Sequence, residues 1–355
     1  MSAALPASGG EVAAKAASRP VRAASESSPA YLLAVLGSAL AGLAGFFVLL
    51  LGLQATDNLP PPAFANIACA DEKMEFLRAR APKAPTLLVV GSSVAWRHFD
   101  GAQFEAAAPG AVALNGAFCS FTASQNVAIA NWLLDRNPTV RDVLMVVDPQ
   151  DFADCTAAPA ENFNREDADR FVYSGAPRWG FYMRYFSPRA LLHNAVGLHR
   201  RRIDKNAPDS LVIDRFGSWP LENTTLKGMP YGLGYGAIDR LDPACFSAVD
   251  GLARRLRSEG RRMMIVTAPL NPQWKTTYDP NGALFKRVKA EMRRIPGAEF
   301  WDGDGAEVVD QSAYWDAIHM RWPAARHFSG SMVKAFHFGN PGPDIGLPED
   351  ASASS

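Results

Sequence analysis

A serine, an aspartate and a histidine stand at the two ends of one α/β pattern. The apolar run LLVV at 87–90 reads as a buried strand, and it leads directly into a Gly-Ser-Ser turn that ends at Ser93. Far downstream, Asp316 precedes His319 by three residues. A serine hydroxyl needs a base to become a nucleophile, and that base needs an acceptor that orients it. These residues predict acyl chemistry, with Ser93 as nucleophile, His319 as base and Asp316 as the orienting carboxylate.

Each of these motifs also has a plainer interpretation. Serine after a strand is a preferred residue at the start of a helix, and an Asp-x-x-His sequence occurs in ordinary polar loops. Position favours catalysis, because ligands of parallel sheets bind beyond the carboxyl ends of the strands. One motif follows the first predicted strand and the other lies past the last.

Acyl transfer also needs donors for the oxyanion, each worth about 3 to 4 kcal/mol of the barrier. Gly116 follows the second predicted strand and could offer its backbone N–H. Gln150 follows the third, and its side-chain amide could donate. The backbone N–H of Ser93 is a third candidate. An ordinary turn explains the Asn-Gly pair that ends at Gly116 equally well.

Short apolar runs alternate with helical stretches along most of the chain. The predicted strands are 86–90, 111–114, 143–147, 263–267 and 298–301, and the predicted helices are 122–134, 242–258, 282–294 and 323–336. This alternation predicts an α/β domain whose parallel sheet is covered on both faces. The alternation of strands and helices is interrupted at about 153–241, where one helix is expected over 182–202. We interpret this section as a substrate-facing insertion or lid, and its glycine-rich run 228–236 as a loop.

Residues 31–53 contain no charged side chain, and as a helix they would be about 35 Å long, enough to cross a bilayer. We expect an uncleaved membrane anchor. A cleaved signal peptide is the alternative, because the Ala-Phe-Ala sequence at 63–65 resembles a cleavage site. Lys15, Arg19 and Arg22 precede the span, so the positive-inside rule predicts a cytoplasmic N-terminus and an exported catalytic domain.

The remaining organisation follows from composition. Disordered tails are expected at 1–30, on the cytoplasmic side, and at 339–355. A linker and lead-in at 54–84, with a stiff proline-rich spacer at 56–65, precede the catalytic domain at 85–338. The chain has 36 basic and 36 acidic residues, which argues against a nucleic-acid partner. No cluster has the spacing of a metal site, and no cofactor is expected.

Four cysteines are consistent with an oxidising compartment. Cys119 and Cys155 lie just past the two loops that carry the oxyanion candidates. A disulfide between them would join those loops, and two buried free thiols are the alternative.

The order of these blocks resembles the SGNH (GDSL-type) hydrolase superfamily over about residues 85–335, apart from the insertion. That family has a Gly-x-Ser turn, a glycine turn, a third block with an oxyanion side chain, and a C-terminal Asp-x-x-His. The resemblance implies a three-layer, flavodoxin-like parallel sheet. It carries over Ser93 as nucleophile, Gly116 and Gln150 as oxyanion donors, and Asp316 and His319 as orienter and base.

The sequence departs from the common family pattern at two points, and at both it resembles one subgroup of the family. The third block reads Asp-Pro-Gln at 148–150 where Asn-Asp after a glycine is usual, and Ser92 stands where many members have Asp. Membrane-anchored, exported proteins of polysaccharide and teichoic-acid modification are similar in both respects. The stretch 267–274 also resembles their Pro-x-Asn segment near the active site.

This subgroup implies an acyltransferase of the inner membrane, with its catalytic domain in the periplasm or another extracytoplasmic space. It would move an acyl group, acetyl above all, onto an exported polysaccharide or other glycan through an acyl-Ser93 intermediate. A multi-span membrane protein is the expected acyl donor. An esterase or deacetylase acting on a glycan or lipid ester is the first alternative, and a non-catalytic polysaccharide-assembly protein is the second.

Overall fold

A computed structural model describes the chain in four stretches, 29–159, 161–207, 209–222 and 232–339. The chain divides after Gly52 into two compact units. The predicted disordered tails lie outside the described residues except at 29, 30 and 339, and the glycine-rich run 228–236 is described from 232 onward.

The N-terminal unit is described through helix α1, Pro29–Ala55, which the domain division crosses near its end. Its mean hydropathy reaches 2.3 over 18 residues. The predicted helix at 31–53 is therefore confirmed, with two more residues at each end. Its length and composition suffice for one membrane span, and a signal sequence near an N-terminus would meet the same two criteria.

A five-stranded, all-parallel sheet forms the centre of the second unit. The strands are β1 Leu87–Val90, β2 Ala113–Asn115, β3 Asp142–Val147, β4 Arg262–Thr267 and β5 Ala298–Trp301. They lie in the order β2-β1-β3-β4-β5. This confirms the α/β prediction, and the order is compatible with a flavodoxin-like fold. In such sheets the ligand site lies where the strand order reverses, here between β1 and β3.

Helices connect and cover these strands. Those described in this unit are α2 Ala68–Arg80, α3 Ser93–His98, α4 Gly101–Ala107, α5 Ala123–Arg136, α6 Arg165–Val172, α7 Arg178–Arg184, α8 Pro188–Ala195, α9 Leu198–Ile203, α10 Pro243–Ser258, α11 Pro272–Tyr278, α12 Ala283–Arg293, α13 Gly303–Ala306 and α14 Trp322–Ala335. β1 is buried along its whole length and β3 and β4 along all but their first residue. Continuous burial is what a strand covered on both faces requires, and it explains the uninterrupted apolar runs.

The proline-rich stretch at 56–65, predicted as a stiff spacer, packs against the insertion over part of its length. Residues 59–62 are buried. The Pro60 carbonyl accepts a hydrogen bond from the Tyr182 hydroxyl, and the Leu59 carbonyl accepts one from Arg202 at 3.3 Å. These bonds satisfy carbonyls that proline-rich backbone leaves without partners.

The insertion contains several short helices where one was predicted over 182–202. The structure has α7, α8 and α9 instead. Pro188 begins α8, where its missing N–H costs nothing, and Gly197 precedes α9 with a φ of 65°. Proline lacks the N–H that a helix interior needs, and a φ of 65° is not helical, so both residues interrupt a continuous helix.

Candidate active site

The turn that leads from β1 to Ser93 requires glycine at position 91, because a side chain there would displace its neighbours. Gly91 follows β1 with a φ of +140°. A Cβ there would lie 2.5 Å from the Val146 carbonyl oxygen and 2.6 Å from the Ala95 Cβ. The missing side chain lets the turn pass close to β3 and brings Ser93 to the first position of α3. N–H groups in a helix's first turn have no intrahelical acceptor, so that of Ser93 is open to a ligand.

The structure brings the three predicted side chains together. His319 Nε2 lies 2.8 Å from Ser93 Oγ, and His319 Nδ1 lies 2.7 Å from Asp316 Oδ2. Because a carboxylate can only accept, the proton of the neutral ring sits on Nδ1, and Nε2 is left to accept the hydroxyl hydrogen of Ser93. The arrangement is a serine–histidine–aspartate relay at the carboxyl end of β1.

Backbone hydrogen bonds fix the Asp316 carboxylate. Its Oδ1 accepts from the N–H groups of Ile318 at 2.9 Å and His319 at 2.8 Å. On the other side, the Asn271 N–H donates to the Ala317 carbonyl at 3.2 Å, and the Asn271 side-chain amide donates to the Asp316 carbonyl at 3.4 Å. Asn271 belongs to the stretch 267–274 that the sequence analysis placed near the active site, and here it holds the turn that carries the carboxylate.

Burial and mutual charge set the protonation states of the pair. Burial raises the pKa of Asp316, but the positive charge that His319 can carry and the hydrogen bonds outweigh it and bring that pKa to about 2. Burial lowers the pKa of His319 below its ordinary value, against the Asp316 charge that raises it, and the nearby Arg97 charge lowers it further. At neutral pH the pair is an ionised carboxylate and a neutral imidazole, which is the state a general base needs.

His98 supports the segment that carries His319, a role for which no sequence motif is present. Its fully buried ring accepts the Met320 N–H at Nε2 over 2.7 Å. Burial, and then the charge of His319, lower the pKa of His98 well below its ordinary value. The ring therefore stays neutral and keeps its acceptor nitrogen for Met320, the residue next to His319.

Gly116 is not the oxyanion donor that the sequence predicted. Its N–H donates to the Val89 carbonyl at 2.8 Å, because the ladder between β1 and β2 continues one residue past the end of β2. Asn115 organises this turn instead. Its side-chain amide donates to the Ala95 carbonyl at 3.1 Å, and its Oδ1 accepts the Ala117 N–H at 3.0 Å.

The third block forms a tight turn with two buried carboxyl groups. The Gln150 N–H donates to Asp148 Oδ1 at 2.8 Å, and the Asp148 N–H donates to Asp151 Oδ2 at 3.1 Å. Burial raises the pKa of Asp148 to about 7, and burial together with the Asp148 charge raises that of Asp151 well above its ordinary value. Gln150 is half-buried, and its Oε1 lies beside Gly236. Its role as an oxyanion donor stays a prediction.

The predicted disulfide between Cys119 and Cys155 is wrong. The structure pairs Cys69 with Cys119 and Cys155 with Cys245. Cys119 follows the β2 turn and faces α2, whereas Cys155 follows the third block and faces the start of α10. Each of the two loops is therefore tied to a helix rather than to the other loop.

A buried lysine reinforces the first of these ties. Lys73 of α2 is fully buried, and its side-chain nitrogen donates to the carbonyl oxygens of Asn115 and, at 2.6 Å, Gly217. It also lies 5.1 Å from the centre of the Trp96 ring. Together with the Cys69–Cys119 disulfide, this side chain holds the β2 turn against α2. Sequence analysis missed it because a lysine in a polar helix is expected on the surface.

The end of the insertion lies on the rim of the site. We call residues 232–238 the rim segment. The Tyr235 ring centre is 5.8 Å from that of His319, with the planes 38° apart. Gly236 sits so close to Gln150 that a Cβ at this glycine would be 2.6 Å from Gln150 Oε1. These residues lie beside His319 and Gln150, and a substrate-facing role for the insertion stays a prediction.

Among the residues that the structure describes, no three His, Cys, Asp or Glu side chains gather as metal ligands would. Comparison with protein-family models and with curated proteins gives no match to this chain.

Proposed function

We propose that the chain is a membrane-anchored serine acyltransferase of the SGNH type. It would move an acyl group, acetyl in the first instance, onto a hydroxyl of an exported polysaccharide. The observation that carries this proposal is the relay itself, with 2.8 Å from Ser93 Oγ to His319 Nε2 and 2.7 Å from His319 Nδ1 to Asp316. Both distances suit proton transfer without rearrangement.

In the first half-reaction, Ser93 Oγ attacks the carbonyl carbon of the acyl donor while His319 Nε2 takes the hydroxyl proton. Asp316 stabilises the imidazolium that forms. The tetrahedral intermediate collapses with cleavage of the bond to the donor's leaving group, which takes the proton from His319. Acyl-Ser93 and the deacylated donor remain.

The second half-reaction reverses the roles. An acceptor hydroxyl gives its proton to His319 Nε2 and attacks the acyl carbon, and Ser93 Oγ leaves with that same proton. The oxyanion of both steps would be stabilised by the N–H of Ser93 at the start of α3, with the Gln150 amide as the second donor in this proposal. A sugar hydroxyl gives transfer, whereas water gives hydrolysis.

The resemblance to the SGNH superfamily is supported by block order and by sheet order. Ser93 follows β1, the third block follows β3, and the relay histidine lies past β5. In the strand order β2-β1-β3-β4-β5, Ser93 and the third block lie beside the reversal point between β1 and β3, where parallel sheets bind ligands.

An exported position is proposed for the catalytic unit. Three basic residues precede the apolar helix α1, namely Lys15, Arg19 and Arg22. Positive charges favour the cytoplasmic side, and the two disulfides favour an oxidising space for the other side. A donor that supplies acyl groups across a membrane would then be a multi-span membrane protein.

The test uses full-length protein in detergent with 4-nitrophenyl acetate as acyl donor. Ser93→Ala and His319→Ala should each lower turnover by about 10⁴-fold or more. Ser247→Ala and His327→Ala replace an exposed serine and an exposed histidine and serve as matched controls. If the relay variants retain control rates with an unchanged circular dichroism spectrum, the chain is not a serine acyltransferase, and the non-catalytic assembly role takes its place.

A second assay separates transferase from esterase. Acyl-enzyme is formed with labelled donor, and the product is followed with and without polysaccharide acceptors. Ser93-dependent label on the polysaccharide supports transfer. Release as free acetate alone, at a rate that no acceptor changes, identifies an esterase.

A further inference from the structure

The rim segment is held firmly beside the relay. Leu233, Tyr235 and Ile238 pack against the hydrophobic core of the second unit. Alternate residues are glycines, and this spacing lets the backbone descend close to its neighbours. Gly236, with a φ of +77°, touches Gln150, and a Cβ there would also come within 3.2 Å of Ile318, the residue before His319.

The Tyr235 ring packs beside that of His319. The two ring centres are 5.8 Å apart, and Tyr235 is half-buried, so part of its side chain is accessible to solvent. An acceptor hydroxyl must come within about 3 Å of His319 Nε2 to lose its proton. A sugar presenting that hydroxyl would therefore have its ring against Tyr235.

A second aromatic side chain extends the same rim. The Tyr278 hydroxyl lies 3.0 Å from where a Cβ of Gly234 would be, so this tyrosine abuts the residue before Tyr235. Tyr278 is 39% exposed, and its ring packs on the fully buried Trp274, 5.9 Å between centres. The Trp274 contact fixes the ring while leaving much of it accessible.

Sugar rings suit such a surface. The C–H groups on one face of a pyranose pack on aromatic rings, while its hydroxyls stay available for polar contacts and for reaction. Two tyrosines in a row provide room for two successive rings, which a polymer can occupy and a small alcohol cannot.

We infer that Tyr235 and Tyr278 form the acceptor-binding platform, and that the acceptor is a pyranose polymer bound through at least two consecutive rings. This inference rests on the proposed transferase function and names the part of the site that selects sugar over water. Tyr235 orients the reacting ring next to His319, and Tyr278 binds its neighbour.

Binding is measured first, apart from chemistry. Full-length Ser93→Ala in detergent is mixed with β-1,4-linked pentasaccharides of glucose, N-acetylglucosamine and mannuronate, and saturation-transfer NMR is recorded. We expect transfer to ring C–H protons of at least one pentasaccharide, weaker transfer to its monosaccharide, and none to glycerol. Adding Tyr235→Ala or Tyr278→Ala should weaken binding about five-fold, whereas Tyr235→Phe should retain it.

Phe186→Ala is the matched control, because it removes a 56% exposed aromatic ring from the same insertion. It should bind like its parent. The platform is overturned if no pentasaccharide shows transfer, or if Tyr235→Ala and Phe186→Ala bind equally well.

Transfer is measured second, in chains that keep Ser93. With 4-nitrophenyl acetate as donor and the bound pentasaccharide as acceptor, Tyr235→Ala should raise the acceptor KM about five-fold and increase the share of acetyl lost to water. Tyr235→Phe should keep the acceptor KM and the share of acetyl lost to water at their wild-type values. An equal share lost in Tyr235→Ala and wild type overturns the inference. Binding without any Ser93-dependent turnover would instead reject the proposed function and leave the platform standing.

Discussion

Hydrogen bonds fix both ring nitrogens and the backbone N–H of His319. Asp316 binds its Nδ1, Ser93 meets its Nε2, and its own N–H reaches back to the Asp316 carboxylate. His98 accepts a hydrogen bond from the N–H of Met320, the residue after His319. In the proposed reaction, a base with so little freedom would start in its productive geometry, which removes an ordering cost from the transition state.

The pH dependence of turnover should report the lowered pKa of His319. Activity requires the neutral imidazole, so kcat/KM should rise with pH through a value below 6.5 and level off by neutral pH. The Asp316 charge raises that pKa, so Asp316→Asn should move the acid limb to lower pH while reducing the plateau by about 10⁴-fold. Initial rates with 4-nitrophenyl acetate between pH 4.5 and 8.5 measure both effects. Exposed Asp310→Asn is the control, and a limb that stays in place would argue against the assigned pair.

Asp148 and Asp151 should make the protein less stable as pH rises. Unfolded, both carboxyls titrate near 3.8, whereas in the fold the pKa of Asp148 is about 7 and that of Asp151 is also raised. The folded state therefore holds extra protons between about pH 4 and 7, and the free energy of unfolding falls over this range. Asp151→Asn removes one of the two groups and keeps an oxygen acceptor for the Asp148 N–H.

Urea unfolding at pH 5 and pH 8 tests this carboxyl pair. Asp151→Asn should lose less stability between the two pH values than wild type. Asp239→Asn, on the surface, should follow wild type. Parallel changes in all three proteins would show that the pair is not protonated in the fold.

At the scale of elements, the β1–α3 turn decides where the nucleophile stands. Gly91→Ala places a Cβ 2.5 Å from the Val146 carbonyl and forces a φ of +140° on an alanine. We expect a loss of at least about 2 kcal/mol of stability and at least about 100-fold in kcat, because displacement of Ser93 by an ångström spoils the relay. Gly110→Ala is the control, since its φ is +87° but nothing lies within 4 Å. Equal losses in both variants would mean that strain alone, rather than contact with β3, explains the effect.

Strands were the most predictable elements because burial on both faces leaves a continuous apolar run. β5 was predicted with its observed bounds, and β3 and β4 to within one residue. At the start of α5, Thr122 forms a capping box with Gln125. Helix α2 was missed, because its buried Lys73 and three buried or half-buried acidic residues give no amphipathic pattern. Tertiary partners, not local sequence, decide where those side chains lie.

The relay was predictable and its surroundings were not. Ser93, Asp316 and His319 belong to two short motifs at strand ends, and the sheet brings strand ends together. The partner of Gly116 depends on how far a ladder runs, and cysteine pairing depends on which helix faces each loop. A lone histidine such as His98 carries no local mark that separates support from ordinary core packing.

For the molecule as a whole, the two disulfides should contribute much of the stability. They join residues 50 and 90 positions apart, and closing such loops restricts the unfolded chain by about 4 kcal/mol each. Non-reducing peptide mapping should recover Cys69 with Cys119 and Cys155 with Cys245. Cys69→Ser should also lower kcat more than Cys245→Ser does, because the first disulfide holds the turn beside the relay. Recovery of a Cys119–Cys155 peptide would contradict the observed pairing.

Ser93 and His319 lie 226 positions apart in the chain, so the ribosome adds them at different times. A ribosome adds about 5 to 20 residues per second, so Ser93 is synthesised about 10 to 45 s before His319. During that interval the Ser93 hydroxyl has no His319 imidazole to accept its proton. The relay can therefore form only once about nine tenths of the chain, through His319, have been made.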